Sequence, residues 1–248
     1  MKKITIVTGG SRGIGRATAL QLTKSGHDVC IGFHNQEQAA HEVVDEINQH
    51  GGKAIAVQVD IANEAQVVRL FNLVDEALGM VTGLVNNAAI LLHQARIEQM
   101  DANRINHILS TNVTGSFLCA REAVKRMAFR HGGQGGAIVN VSSAASRLGS
   151  PHEYIDYAAS KGALDSLTIG LSLEVAAQGI RVNAVRPGFI YTGMHADGGE
   201  PDRIERVKNT LPMQRGGQPG EVAQAIAWLL SEEASYVTGA FIDIAGGK

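Results

Sequence analysis

Ile4-Thr5-Ile6-Val7-Thr8-Gly9-Gly10-Ser11-Arg12-Gly13-Ile14-Gly15-Arg16-Ala17 passes from a β-branched apolar run through a glycine turn into a segment of helical spacing. A strand, a glycine turn and a helix N-terminus together make an anion site. Unpaired backbone N–H groups and the positive end of the helix dipole face the ligand, and glycine removes the Cβ that would keep a pyrophosphate away. An ordinary tight βα turn is the competing reading, because the spacing is not the GxGxxG fingerprint. The GxxxxGK of a nucleoside-triphosphate P-loop is also absent, which disfavours that ligand class.

Outward from this turn, short Val/Ile-rich runs alternate with longer helical patterns to the end of the chain. Strands are expected at 4–8, 28–33, 54–59, 83–86, 137–141, 181–185 and 241–244. Several are almost continuously apolar, as strands are when helices cover both faces of a parallel sheet. The alternation predicts an α/β, doubly wound parallel sheet in one domain spanning 1–248. One stretch, 191–218, fits poorly. It carries Pro201 and Pro212 and ends against Pro219, and so long an irregular connection is expected to be a substrate lid.

Composition narrows the class. Of the 248 residues 44% are hydrophobic and 19% charged, and the net charge is -2, the balance of a globular protein with no bulk attraction for nucleic acid. The apolar start meets Gly9 too early for a signal peptide, and no run is long enough to span a membrane, so a cytoplasmic location is expected. Cys30 and Cys119 lie in apolar patterned segments and read as buried free thiols. The nine histidines form no HExxH or HxxxH pair, so no metal site is expected.

The choice of dinucleotide turns on the end of the second strand, where NAD-binding folds often place an acid on the ribose 2'-hydroxyl. Here the sequence reads Gly32-Phe33-His34-Asn35. With no carboxylate to repel a 2'-phosphate, and with Arg12 in the glycine turn and His34 to attract one, NADP is favoured and NAD remains open. Asp60 follows the third strand and is either a contact for the adenine edge or the N-cap of the next helix.

Tyr157-Ala158-Ala159-Ser160-Lys161 has helical spacing, which puts the hydroxyl and the ammonium on one face. A tyrosine needs roughly 4 kcal/mol to bring its pKa from about 10 towards 7. One positive charge at about 4 Å in an effective dielectric of about 20 supplies roughly that amount. The same pattern also arises as an incidental surface pair.

Together, the glycine turn, Asn86-Asn87-Ala88-Ala89, Asn112, Ser142-Ser143, Tyr157 to Lys161, Pro187-Gly188 and the terminal Gly246-Gly247 resemble the short-chain dehydrogenase/reductase family in order and approximate spacing. The resemblance covers the whole chain. It implies a sheet of seven strands and a hydride exchanged between a nicotinamide dinucleotide and a small carbonyl or alcohol substrate. It also implies a catalytic set in which Tyr157 is the acid-base and Lys161 its partner and the ribose ligand. Ser143 would hold the substrate oxygen, and Asn112 would support a proton relay through water. Ser142 competes with Ser143, which stands one residue farther from Tyr157 than is usual in the family. Ala89 departs from the pattern where a glycine is usual.

Cofactor contacts are expected from Gly9, Ser11, Arg12, Gly13, Ile14, Gly15, His34, Asp60, Asn87, Ala88, Tyr157, Lys161, Pro187 and Gly188. Ile190 and Thr192 are expected on the carboxamide and phosphate. Met194, His195 and Met213 are lid residues that suit many substrate shapes. The activity expected is that of an NADP-preferring carbonyl reductase or alcohol dehydrogenase. A sugar dehydrogenase is an alternative, as is a 3-oxoacyl carrier-protein reductase that would need Arg126 and Arg130 for its acidic partner. A dinucleotide sensor without turnover would typically have lost Tyr157 or Lys161. The resemblance further implies a homotetramer built on helices at 102–130 and 153–177 and on the last strand.

Overall fold

The computed structural model describes residues 2–248. Seven strands, β1 (Lys3–Thr8), β2 (His27–Phe33), β3 (Ala54–Gln58), β4 (Gly83–Asn86), β5 (Gly136–Val141), β6 (Ile180–Pro187) and β7 (Phe241–Ile244), form one sheet in the order β3-β2-β1-β4-β5-β6-β7. Every pairing is parallel. The expected architecture is therefore present, and the sheet takes in strands from both ends of the chain.

Alternate residues of each strand serve opposite faces. Ile6, Leu84, Ile138 and Val182 point to a core closed by α3 (Glu64–Ala77) and α5 (Gly115–Met127). Val7, Val85, Val139 and Val185 point to the other, closed by α1 (Gly13–Lys24), α2 (Glu37–Gln49) and α10 (Pro219–Leu230). Because both faces are covered, the strands are apolar at nearly every position. The two cysteines lie fully buried in the first core as free thiols.

The long helix expected at 102–130 is broken. It runs as α4 (Ala102–Leu109), a π-turn over Ser110–Thr114, and then α5. Asn112 explains the break. Its side chain accepts from Ile90 N at 2.8 Å and donates to Ile90 O at 3.1 Å and to Ser160 Oγ at 3.1 Å, so the wide turn aims it at two other elements.

The stretch 191–218 is less irregular than its prolines suggest. It contains α8 (Met194–Asp197) and α9 (Arg203–Val207), with a 3-10 turn at Lys208–Thr210. The remaining helices are α6 (Ala145–Leu148) and α7 (Ile155–Val175). Strand order reverses between β1 and β4, and ligands in open α/β sheets bind at the carboxyl ends flanking such a switch.

Candidate active site

The glycine turn leaves β1 at this switch point. Arg12 is the N-cap of α1 but caps nothing with its side chain, and the first turn of α1 holds no acid. Its N-terminal N–H groups and dipole are thus left to an anion. Gly13 has φ +54°, a conformation glycine adopts freely. Gly15 is required by proximity, since a Cβ there would stand 2.2 Å from Gly9 O and 2.6 Å from Asn87 Nδ2. Asn87 Nδ2 ties the turn to the end of β4 by donating to Thr8 O at 2.9 Å and Gly9 O at 3.0 Å.

A cavity of about 570 Å³ opens along this turn. Gly9, Ser11, Arg12, Gly13 and Ile14 line it, together with His34, Asp60, Asn87, Ala88 and Thr192. Ten of the sixteen expected cofactor residues thereby line one groove, and Gly15 is not among them. Asp60 is not a helix cap. Asn63 caps α3 by accepting from Gln66 N, while Asp60 Oδ1 accepts from Ala62 N and its residue faces the groove. Arg12 is already partnered, with Nη2 at 2.5 Å from Asp197 Oδ2 at the end of α8.

A second cavity, of about 150 Å³, adjoins the first. Ile14, Asn87, Ala89, Thr192 and Met194 belong to both. The second also brings together Ser142, Ser143, Tyr157, Lys161, Pro187, Gly188 and Ile190.

Tyr157 and Lys161 lie one turn apart on α7, with Lys161 Nζ 5.5 Å from the Tyr157 ring centre. Lys161 Nζ donates to Val141 O at 2.8 Å. Burial pushes the Tyr157 phenol up to about 12, against a hydrogen bond from Ser143 that draws it down. Burial also brings the Lys161 ammonium down to about 8, opposed by Asp165. Each charged form has been stripped of water. At Tyr157 burial therefore outweighs the stabilisation expected from a neighbouring charge. The arithmetic from sequence omitted the cost of burial.

The two serines separate clearly. Ser142 Oγ donates to Lys161 O at 3.2 Å and is buried. Ser143 Oγ accepts from Ala145 N at 3.1 Å and hydrogen-bonds the Tyr157 phenol in the cavity. Asn112 lines neither cavity and acts on them only through Ile90 and Ser160. Ile190 O is occupied by His195 Nε2 at 3.1 Å. Met213 is 58% exposed and borders a different, smaller hollow, so it does not shape the main pocket.

Sequence reasoning missed Tyr154 and Arg203, which both line the second cavity. Tyr154 is buried and donates through its hydroxyl to Gly198 O at 3.1 Å. Asp156 was also missed. It binds Arg104 Nε at 2.7 Å and accepts from Tyr157 N at 2.9 Å, which pins the start of α7 to α4.

Comparison with known proteins agrees with this geometry. The family model described as enoyl-(acyl carrier protein) reductase matches residues 9–248. An Escherichia coli K12 protein described as an uncharacterized oxidoreductase, YgfF, is 66% identical over 245 residues, 99% of each chain. Glucose 1-dehydrogenase 2 of Bacillus subtilis is 36% identical over 245 residues, covering 99% of this chain and 94% of its own. The 3-oxoacyl-[acyl-carrier-protein] reductase FabG of Staphylococcus aureus is 35% identical over 247 residues, 100% and 98% of the two chains. A solved dehydrogenase/reductase from Sinorhizobium meliloti 1021 superposes with a TM-score of 0.91 at 33% identity, over 99% of this chain and 94% of that one. Matches of this identity along the full length, on the same seven-stranded sheet, mean that the chain belongs to the short-chain dehydrogenase/reductase family of oxidoreductases.

Proposed function

We propose that this protein is an NADP-preferring carbonyl reductase or alcohol dehydrogenase, with Tyr157 as its acid-base. The observation that carries the reading is the meeting of two cavities. One is lined by a bare helix N-terminus, and the other holds buried Lys161 with half-buried Tyr157 and Ser143. The first suits a dinucleotide by size, by its glycine approach and by its free N–H groups.

When bound, a nicotinamide dinucleotide supplies or takes the hydride. The chain's own residues handle position and the proton. Ser143 donates to the substrate oxygen. Tyr157 gives its proton to that oxygen as it becomes an alcohol, and takes it back in the reverse direction. Lys161 holds the ribose and places its charge beside the phenol, favouring the tyrosinate. Asn112 fixes the Ile90 segment and Ser160 under the site, supporting a water-borne proton relay. Pro187, Gly188 and Ile190 wall the pocket, and Thr192 sits where it meets the dinucleotide groove.

NADP is preferred because β2 ends without a carboxylate and both Arg12 and His34 line the groove. A carrier-protein substrate is the weaker reading. Arg126 is held by Asp75 at 2.6 Å, Asn72 at 2.7 Å and Glu122 at 2.9 Å, so of the two expected arginines only the exposed Arg130 is left for an acidic partner. The functional unit is proposed as a homotetramer. Turnover of a panel of ketones, aldehydes and alcohols, followed by nicotinamide absorbance with each dinucleotide, tests the reading. Absence of turnover across the panel would defeat it.

A further inference from the structure

Tyr157, Lys161 and Asp165 follow one another at four-residue intervals along α7, which stacks them on one side of the helix with about 5 to 6 Å from each Cβ to the next. The first two belong to the proposed reaction site. Asp165 lines neither cavity, and its side chain is only 14% exposed.

The partner of Asp165 is Arg186, next to Pro187 at the end of β6. Arg186 Nε and Nη2 donate to the same carboxylate oxygen, Oδ2, at 3.0 and 2.8 Å. The guanidinium also stacks over Phe241 of β7, whose ring centre lies 3.9 Å from Cζ, so the pair is fixed between α7 and the last two strands. Asp165 Oδ1, by contrast, is buried and accepts no hydrogen bond. An ion pair serving stability alone would engage both oxygens, because a buried polar atom left unpaired costs more than a hydrogen bond gains.

Lys161 and Asp165 are anchored at neighbouring points of the sheet. Lys161 Nζ donates to Val141 O on β5, and Val141 pairs in register with Val185 on β6, the residue before Arg186. Other charged groups on the elements packed around Lys161 are engaged elsewhere. On α4, Arg104 binds Asp156 at 2.7 Å and His107 faces the dinucleotide groove. Arg147 of α6 lies 3.2 Å from Asp243, and Arg121, Lys125 and Arg126 of α5 converge on Glu122. Arg181 of β6 donates to Leu229 O at 2.8 Å, and Glu174, farther along α7, is exposed.

We propose that Asp165 is a positioning residue of the reaction site, a carboxylate that Arg186 holds one turn beyond Lys161 to keep the ammonium charged inside the fold. This rests on the assignment of Tyr157 and Lys161 as the reacting pair. Only a charged Lys161 favours the tyrosinate and so eases proton transfer at Tyr157. Burial draws the Lys161 ammonium down to about 8 against the pull of Asp165, so turnover falls as pH rises through that region and the ammonium becomes a neutral amine.

The test uses two variants that break the same ion pair with opposite electrical consequences. Asp165→Asn removes the anion and leaves Arg186 uncompensated, whereas Arg186→Gln leaves the anion uncompensated. Lys161 is titrated by NMR in protein carrying carbon-13 at lysine Cε, its resonance assigned by its absence in Lys161→Arg. Asp165→Asn should lower the titration midpoint by about one pH unit and Arg186→Gln should raise it by a similar amount, as expected of charges about a helical turn apart in an effective dielectric of about 20. The alkaline limb of kcat/KM, on a substrate from the ketone, aldehyde and alcohol panel, should move in the same two directions. Lost packing alone would move both variants the same way. Midpoints that shift together or stay in place, or an alkaline limb that follows neither variant, overturn the proposal. Opposite midpoints without turnover of any panel compound would defeat the reaction-site reading and leave the hold of Asp165 on Lys161 standing.

Discussion

The ammonium of Lys161 stands 5.5 Å from the centre of the Tyr157 ring, yet its hydrogen bond goes to the Val141 carbonyl, at the end of β5. Helix α7 is thereby tied to the sheet edge by one of its proposed reactive side chains, and the Tyr157 hydroxyl is left to Ser143 and the cavity. Tyr157→Phe should lower turnover at least about a hundredfold, the lower range for a lost general acid-base, while fluorescence titration of the dinucleotide changes by no more than a few fold. Retention of turnover within a few fold would show that the proton comes from elsewhere.

Arg12 contacts Asp197 across 185 residues of sequence, so any 2'-phosphate has to compete with a lid carboxylate. Arg12→Ala should weaken NADP by about ten- to a hundredfold, since a charge-assisted hydrogen bond is worth about 1.5 to 3 kcal/mol, and should leave NAD nearly unchanged. Asp197→Asn should act oppositely, tightening NADP by removing the competitor. Equal effects on both dinucleotides, measured by calorimetry, would remove Arg12 from the 2'-phosphate site.

His27 predicts the acid side of stability. It is buried in β2 with Nδ1 2.8 Å from Thr5 Oγ1, and burial, with repulsion from Lys3, brings its pKa down to about 4. The unfolded chain takes up this proton below about 6.5 but the native protein only below about 4, so stability falls as pH drops through that window. After allowance for partial solvent access the loss is on the order of 2 kcal/mol. His27→Gln should flatten the fall in urea midpoint between neutral pH and pH about 4.5. An equally steep fall in the variant would assign the acid lability to other groups.

The outer faces of α5 and α7 leave Phe117, Ile169 and Leu173 exposed at 49%, 50% and 78%, apolar surface that a two-fold contact would bury. Light scattering at micromolar concentration should give a tetramer mass. Leu173→Glu combined with Phe117→Glu should yield a smaller species, because burying two unpaired carboxylates in a two-fold contact is costly. A monomeric wild-type protein would refute the assembly.

Much of this molecule was legible because its determinants are local. Val/Ile-rich runs mark all seven strands to within two residues, and a four-residue interval puts Tyr157 and Lys161 on one face. What escaped depends on distant partners. The π-turn at Ser110–Thr114 is fixed by Asn112 reaching Ile90, 22 residues away, and no local pattern reports it. Arg203 carries no local signal, and only its burial against Tyr154 and Phe189 places it at the pocket. Ser143 could be preferred over Ser142 by motif alone, whereas the physical reason is that Ser142 is already bonded to the Lys161 carbonyl.

Asn87 and Ala89 border both cavities, and Ile90, the residue after them, is held on both its N–H and its carbonyl by Asn112. A substitution in this partition is therefore expected to alter both cavities at once, whereas α9 reaches only the one that holds Tyr157. New specificities in this lineage are therefore expected to accumulate on α9 and to spare the Asn87 segment.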